Sequence, residues 1–354
     1  MNAILKGIGA APIAASLSTA ALAETTELNF GIISTESQVN LKTIWQPFLD
    51  DMAKSTGLKV NAFFASDYAG VIEGMRFGKV DAAWFGNKSA MEAVDRADAE
   101  VFAQTVAASG EPGYYSLLIA PVDSPLASLD DVLKCDGTLN FGLGDPNSTS
   151  GFLVPMTFVF AKNGVDPKKC FKTVTNANHE TNALAVANKQ ADVAANNTEN
   201  LSRLKVTNPA AAEKIKVIWT SPLTPSDPIA WSKKIDQATK DKLMTFFMTY
   251  GRQGTPEEVE KARGVLTALQ WAPFRPSSDA QLYPIRIMEI TKKIFQTEAD
   301  DKLSADEKAA KVKELAAVFL LVYVSLLLTG PGRFSVDHWW ATRRNKGDNA
   351  RTET

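Results

Sequence analysis

The sequence has 354 residues, of which 45% are apolar and 22% charged, and its formal net charge is −2. That length accommodates about two domains with sizeable cores, and the composition excludes a disordered tail, a collagen or a polytopic membrane protein. Near-zero charge counts against a dedicated nucleic-acid binder, and two histidines and two cysteines count against a zinc or iron–sulfur enzyme.

The charge is unevenly spread. Setting aside Lys6 and the tail from Pro331, which holds five basic and three acidic residues, the remainder carries −5. The chain opens with Lys6, an uncharged small-and-apolar stretch and then Ala21-Leu22-Ala23. That three-part layout predicts a secretory signal peptide over 1–23, cut after Ala23. Export would put the body in an oxidising compartment.

From Leu28 short apolar runs alternate with helical patterns. LNFGII (28–33) reads as a strand, and 39–57 as an amphipathic helix stopped by Gly57. LKVNAFFA, DAAWFG and EVFAQTVA read as further strands, with AGVIEGMRFGK and SAMEAVDRA as the helices between them. A longer strand at 114–122 leads into a second series, with strands at 139–144, 171–177, 191–197 and 215–221. IAWSK and several helices then run to Phe295.

Such alternation predicts an α/β fold of parallel sheets covered by helices. The last segment lacks a sheet of its own, so it should return to the first unit. The expected plan is two α/β lobes joined by a two-segment hinge near 120–124 and 224–229. Lobe 1 would comprise 24–120 and 229–296, and lobe 2 would comprise 121–228. A C-terminal helix over 297–314 and an atypical tail over 315–354 would follow.

In that tail, 315–328 (LAAVFLLVYVSLLL) is free of charge, and Arg343, Arg344, Lys346 and Arg351 lie beyond it. A bilayer span needs about 20 apolar residues, which makes this run short. Its basic flank nevertheless fits a cytoplasmic tail after a stop-transfer segment. Membrane contact through 315–328 and a buried or interfacial helix both stay open. The stretch 326–337 also resembles the C-terminal end of DoxX-type small membrane proteins, over about a dozen residues.

Ligands of open α/β sheets bind beyond the carboxyl ends of the strands, at helix N-termini. Asp145-Pro-Asn-Ser-Thr-Ser-Gly151 sits at such a place, directly after LNFGLG. Ser148, Thr149 and Ser150 there set three hydroxyls beside the free N–H groups of a helix start, a combination that favours an oxyanion. A helix cap alone would need one hydroxyl, not three. His179, at the next strand end, could donate to the same oxyanion. Glu199, after strand 191–197, and Asp227, in the crossing PLTPSDP, would attract a cation if they face the cleft. Two acids opposite helix N-termini describe a zwitterion.

Tyr68 and Tyr114, with Trp84 and Phe85, occupy analogous places in the first lobe, as cleft wall or as core. Cys135 and Cys170 each precede a strand. If those strands are parallel neighbours about 4.8 Å apart, the two thiols share one sheet edge and should pair in an exported protein. Two free buried thiols are the alternative.

LNFGIISTES, VNAFFASDYAGVIEGMRFGKVDAAWFGN, GDPNSTSGF, NHETNALAVANKQADVAANNTENL and SDPIAW resemble the phosphonate-binding periplasmic proteins of bacterial phosphonate ABC transporters. The resemblance spans about 28–295. It implies a type 2 periplasmic binding fold that captures a phosphonate and delivers it to a membrane permease and its ATPase subunit, with no cofactor. By motif, it implies that Ser148, Thr149, Ser150 and His179 hold phosphonate oxygens. Glu199 and Asp227 would hold the ammonium of an aminoalkylphosphonate such as 2-aminoethylphosphonate, and Tyr68 and Tyr114 would close the pocket. Phe85 stands where a tyrosine is expected, and the region after Phe295 departs from the family.

Phosphite or phosphate is the nearer competing ligand, since the same donors would serve, although the two acids would repel a bare inorganic anion. A periplasmic phosphonate-processing enzyme is the more distant alternative. It would need a metal cluster or an activated nucleophile, and neither G-x-S-x-G nor a Walker motif occurs.

Overall fold

The computed structural model describes residues 26–329. The expected signal peptide and basic tail lie outside those residues. The first lobe begins with β1 (Glu27–Ile32), α1 (Gln38–Thr56), β2 (Lys59–Phe64), α2 (Tyr68–Arg76), β3 (Ala82–Trp84), α3 (Asn87–Arg96) and β4 (Ala99–Ala107). Helix α1 shows why the local sequence folds this way. Ser37 caps it by accepting from Asn40 N, Gly57 ends it at φ 70°, and Leu41, Trp45, Phe48, Leu49 and Met52 form one buried stripe.

The second lobe follows with β5 (Gly113–Tyr114), β6 (Ser116–Pro121), α4 (Leu129–Val132) and β7 (Asn140–Leu143). A wide-turned π-helical stretch comes next, over Thr149–Leu153 and Met156–Phe160. Then come α5 (Pro167–Cys170), β8 (Thr173–Asn176), α6 (His179–Ala187), β9 (Val193–Asn197), α7 (Thr198–Thr207), α8 (Pro209–Ala212) and β10 (Ile215–Thr220). After β11 (Thr224–Pro225) the chain re-enters the first lobe through β12 (Pro228–Ser232), α9 (Gln237–Thr249), α10 (Pro256–Ala268) and β13 (Trp271–Pro276). Helices α11 (Tyr283–Glu298) and α12 (Ala305–Thr329) complete the described chain.

The first lobe holds a six-stranded sheet, β13-β4-β12-β3-β1-β2, and the second a five-stranded sheet, β10-β6-β9-β7-β8. Both are mixed rather than wholly parallel. The β2-β1-β3 and β9-β7-β8 portions are parallel, whereas β12, β13 and β6 run antiparallel to their neighbours. The antiparallel strands are those entered directly from a crossing or from helices on the return path, where no βαβ connection imposes direction. Strand β13 lies at a sheet edge, which is how WAPFRP carries two prolines and why its sequence does not read as a strand.

The first crossing is not at 120–124. Strand β6 is buried throughout and lies between β10 and β9 in the second sheet, so the chain crosses over 108–115 and the lobe boundary falls before residue 116. A continuous apolar run looks the same whichever sheet receives it. The two crossings lie side by side, with Thr224 opposite Tyr114. Gly113 permits that approach, because a Cβ there would stand 1.9 Å from the Thr224 carbonyl oxygen.

One aromatic core fills the first lobe. Trp45 touches Trp84 and Trp271 at ring separations of 5.4 and 5.3 Å, and Phe48, Phe247 and Phe274 extend the cluster. Phe85 is fully buried in this core. The second lobe has two smaller cores, one around Phe141, Phe160 and Phe171 and one around Ile119, Ala183 and Val186. The helix expected over 297–314 starts only at Ala305, since 297–298 close α11 and 299–304 form a turn, and from Ala305 it continues through the apolar run as one element, α12. No helix among the described residues is long and apolar enough to cross a membrane.

Cys135 and Cys170 form a disulfide, 35 residues apart in sequence, beside the parallel pair β7 and β8. Replacing both by serine should lower the unfolding free energy by about 2–4 kcal/mol, mostly by freeing the denatured chain. Urea denaturation of both proteins, with and without reductant, measures this. Indistinguishable midpoints would rule the stabilisation out.

Candidate functional site

Three loops of the second lobe converge on the face turned toward the first. The loop after β7 brings Gly144 against Gly151, with Gly144 N donating to the Gly151 carbonyl at 2.7 Å. A Cβ on Gly144 would lie 2.5 Å from Gly151 Cα, so no other residue fits this fold-back. Ser148 then caps the π-helical stretch, its Oγ accepting from Gly151 N at 3.0 Å. Ser148, Thr149 and Ser150 are all buried.

The other two loops complete the cradle. His179 is the first residue of α6, and its Nε2 lies 3.2 Å from Asn197 Nδ2 and 3.4 Å from Ser148 Oγ. Asn197 caps α7 through Oδ1, which accepts from Asn200 N at 2.7 Å. That bond orients the amide, so Nδ2 is the group that donates to Ser150 Oγ, at 3.0 Å, and faces His179. The His179 Nε2 is therefore an acceptor and the ring proton belongs on Nδ1, whose hydrogen-bonding capacity is unspent. Burial, reinforced by the nearby Arg203 charge, lowers the imidazole to about 3, so the ring is neutral at pH 7. Asn196 fixes this corner by donating from Nδ2 to the His179 carbonyl at 2.9 Å.

Two carboxyls share the cleft with this cradle. Glu199 stands in the first turn of α7, and Asp227 lies in the second crossing. Tyr114, in β5 of the first crossing, donates from its hydroxyl to Asp227 Oδ1 at 3.1 Å. Burial raises Asp227 well above the ordinary range, and the Glu199 charge raises it further. Burial likewise raises Glu199, against the pull of Arg203 and of the Trp271 indole. Tyr68 starts α2 on the first lobe, and its buried phenol lies beside Ser148. Tyr68 also adjoins the Asp227 charge, and Tyr114 adjoins Asp227, Glu199 and Tyr68, so the tyrosines bring the cradle and the carboxyls into one neighbourhood. Phe85 belongs to the first-lobe core, and Trp84 packs in that core with its indole beside Asp227.

Several residues at the cleft are absent from the reading of the sequence. Arg203 is buried and bonded through Nε to Glu36 of the opposite lobe. Its spacing from Glu199, one helical turn, is the signal that could have found it. Trp271 escapes because β13 does.

The chain matches, over residues 30–282, the family described as ABC transporter, phosphonate, periplasmic substrate-binding protein. It belongs to that family. It is 59% identical over 290 residues to the phosphonates-binding periplasmic protein of Escherichia coli K12, covering 82% of this chain and 84% of that one. A binding-protein component of an ABC phosphonate transporter from Pseudomonas aeruginosa superposes with a TM-score of 0.83 at 54% identity, over 86% of this chain and 99% of that one. A Prochlorococcus marinus protein solved with methylphosphonate shares the fold, with a TM-score of 0.66 at 19% identity, over 77% of this chain and 99% of that one. The fold is that of type 2 periplasmic binding proteins, and the relatives are transport components rather than enzymes.

The Gly144 contact is open to a direct test. Gly144→Ala should destabilise the protein by about 1–3 kcal/mol through overpacking. Gly264→Ala, in α10 with nothing within 4 Å, should be neutral or slightly stabilising. Thermal unfolding compares the two, and equal effects would remove the steric argument.

Proposed function

We propose that this protein captures an aminoalkylphosphonate, with 2-aminoethylphosphonate as the representative ligand, by closing its two lobes, and hands it to a permease driven by an ATPase subunit. The export expected from 1–23 would place it in the periplasm. Ser148, Thr149, Ser150 and His179 receive the phosphonate oxygens. Glu199 and Asp227 receive the ammonium, while Tyr68 and Tyr114 line the ligand from the first lobe and the crossing.

One observation supports this reading: Tyr68 adjoins the neutral donor Ser148 and the Asp227 charge, and Tyr114 adjoins Asp227 and Glu199, so neutral donors and two carboxyls meet around the same tyrosines. The cradle hydroxyls surround the starts of the π-helical stretch, α6 and α7, so dipoles supply the positive potential. Arg203, a buried cation in the same region, is engaged by Glu36. Burying the two ends of a zwitterion is tolerable only when each finds opposite charge or donors, and this arrangement supplies both.

Glu199→Gln should therefore weaken 2-aminoethylphosphonate by about 30-fold or more, roughly 2 kcal/mol upward, and barely alter methylphosphonate. Calorimetry with those ligands, phosphite and phosphate tests it. Equal losses for the two phosphonates, or tighter binding of inorganic phosphate than of either, would refute the assignment.

A pH dependence follows from the raised carboxyls. Without ligand, Glu199 and Asp227 retain a proton over part of the range in which free carboxyls are bare. An ammonium lowers both again, so binding expels that proton and affinity rises with pH across the window. Aminophosphonate should show proton release in excess of methylphosphonate when titrated in buffers of unlike ionisation enthalpy. Identical proton counts would contradict the pairing.

A further inference from the structure

Three helices of the first lobe, α1, α2 and α3, point their N-termini at the second lobe. Each leaves there a backbone N–H that an oxygen of the opposite lobe accepts. At α1, Ser37 N donates to Glu180 Oε2 at 2.7 Å, and Asn40 Nδ2 donates to Glu180 Oε1 at 2.5 Å. At α2, Tyr68 N donates to Asp145 Oδ2 at 3.1 Å. At α3, the capping position is Gly86, which has no side chain to offer, and Lys88 N donates to Thr149 Oγ1 at 2.8 Å.

The α1 contact resembles a capping box divided between lobes. In an ordinary box the third helical residue is a glutamate or glutamine that reaches back to the capping residue's N–H. Here that position is Asn40, and Glu180 of the opposite lobe bonds the Ser37 N–H in its place. The Thr149 contact extends the same logic toward the ligand. Its Oγ accepts from α3, which leaves the hydroxyl proton to donate into the cradle.

We propose that lobe closure is driven and held by capping in trans: Glu180, Asp145 and Thr149 of the second lobe complete the N-termini of α1, α2 and α3. This rests on the binding cycle proposed above. Glu180 is a positioning residue in this scheme. It sets affinity for every ligand through the open–closed balance and contributes nothing to the choice among them. Asp145 acts alike but also accepts from Asn147 N in its own loop, at 2.7 Å, which makes Glu180 the cleaner probe.

The experiment pairs Glu180→Ala with Asn40→Ala, one on each lobe, and the double variant. Calorimetry is run with 2-aminoethylphosphonate and methylphosphonate, and fluorescence energy transfer between dyes on the two lobes reports their separation. Glu180→Ala should weaken both ligands by the same factor, about tenfold. Asn40→Ala should weaken both by a smaller common factor, and the double variant should match Glu180→Ala rather than the product of the two. Unchanged affinities, loss confined to one ligand, or multiplied losses would overturn the proposal. If the unaltered protein binds neither phosphonate, the functional reading fails. The dye separation of the ligand-free proteins then decides alone: a longer mean in Glu180→Ala upholds trans-capping, and an identical distribution rejects it.

Discussion

An oxyanion taken out of water must be surrounded by donors whose directions are already set. In this protein, helix N-termini provide them. The π-helical stretch, α6 and α7 begin where β7, β8 and β9 end, because parallel strands joined through helices place every helix start on one edge of the sheet. Their caps, Ser148, Asn178 and Asn197, keep some N–H groups satisfied internally, while the hydroxyls and His179 line the space between. Gly144 makes the tightest of these turns possible by lying against Gly151.

The same geometry in the first lobe yields three more helix starts, directed at the second. Two facing sets of positive helix ends would repel each other if both were bare. Glu180 and Asp145, which carry negative charge to two of the first-lobe ends, and the buried Glu36–Arg203 pair make their close approach tolerable. The cleft is thus neither simply positive nor simply negative. Donors concentrate in the cradle, while Glu199 and Asp227 form an acidic region in which burial raises both groups and the Glu199 charge raises Asp227 further.

Much of this was legible in the residues. The alternation of apolar runs with helical stripes located most of the strands and helices, since burial of one face leaves a periodic record. The hydroxyl triplet at 148–150, His179, Glu199 and Asp227 were recognisable because they follow strands directly. The first crossing was misplaced because β6 is a uniformly apolar strand, and such a run carries no mark of the sheet that takes it. Strand β13 was invisible because its prolines contradict strand propensity, which only an edge position relieves.

The sequence by itself determined the α/β class, the family and the chemical types at the strand ends, because periodicity and short-range motifs are local properties. Length and composition foresaw two domains, and these are two lobes sharing a cleft to which both crossings contribute. Only the tertiary structure decided which sheet β6 joins, that Glu36 meets Arg203, and that Glu180 caps a helix 140 residues away. Those facts depend on long-range pairing. A carboxylate at a helix start has the same local signature whether it serves its own helix or one across the cleft.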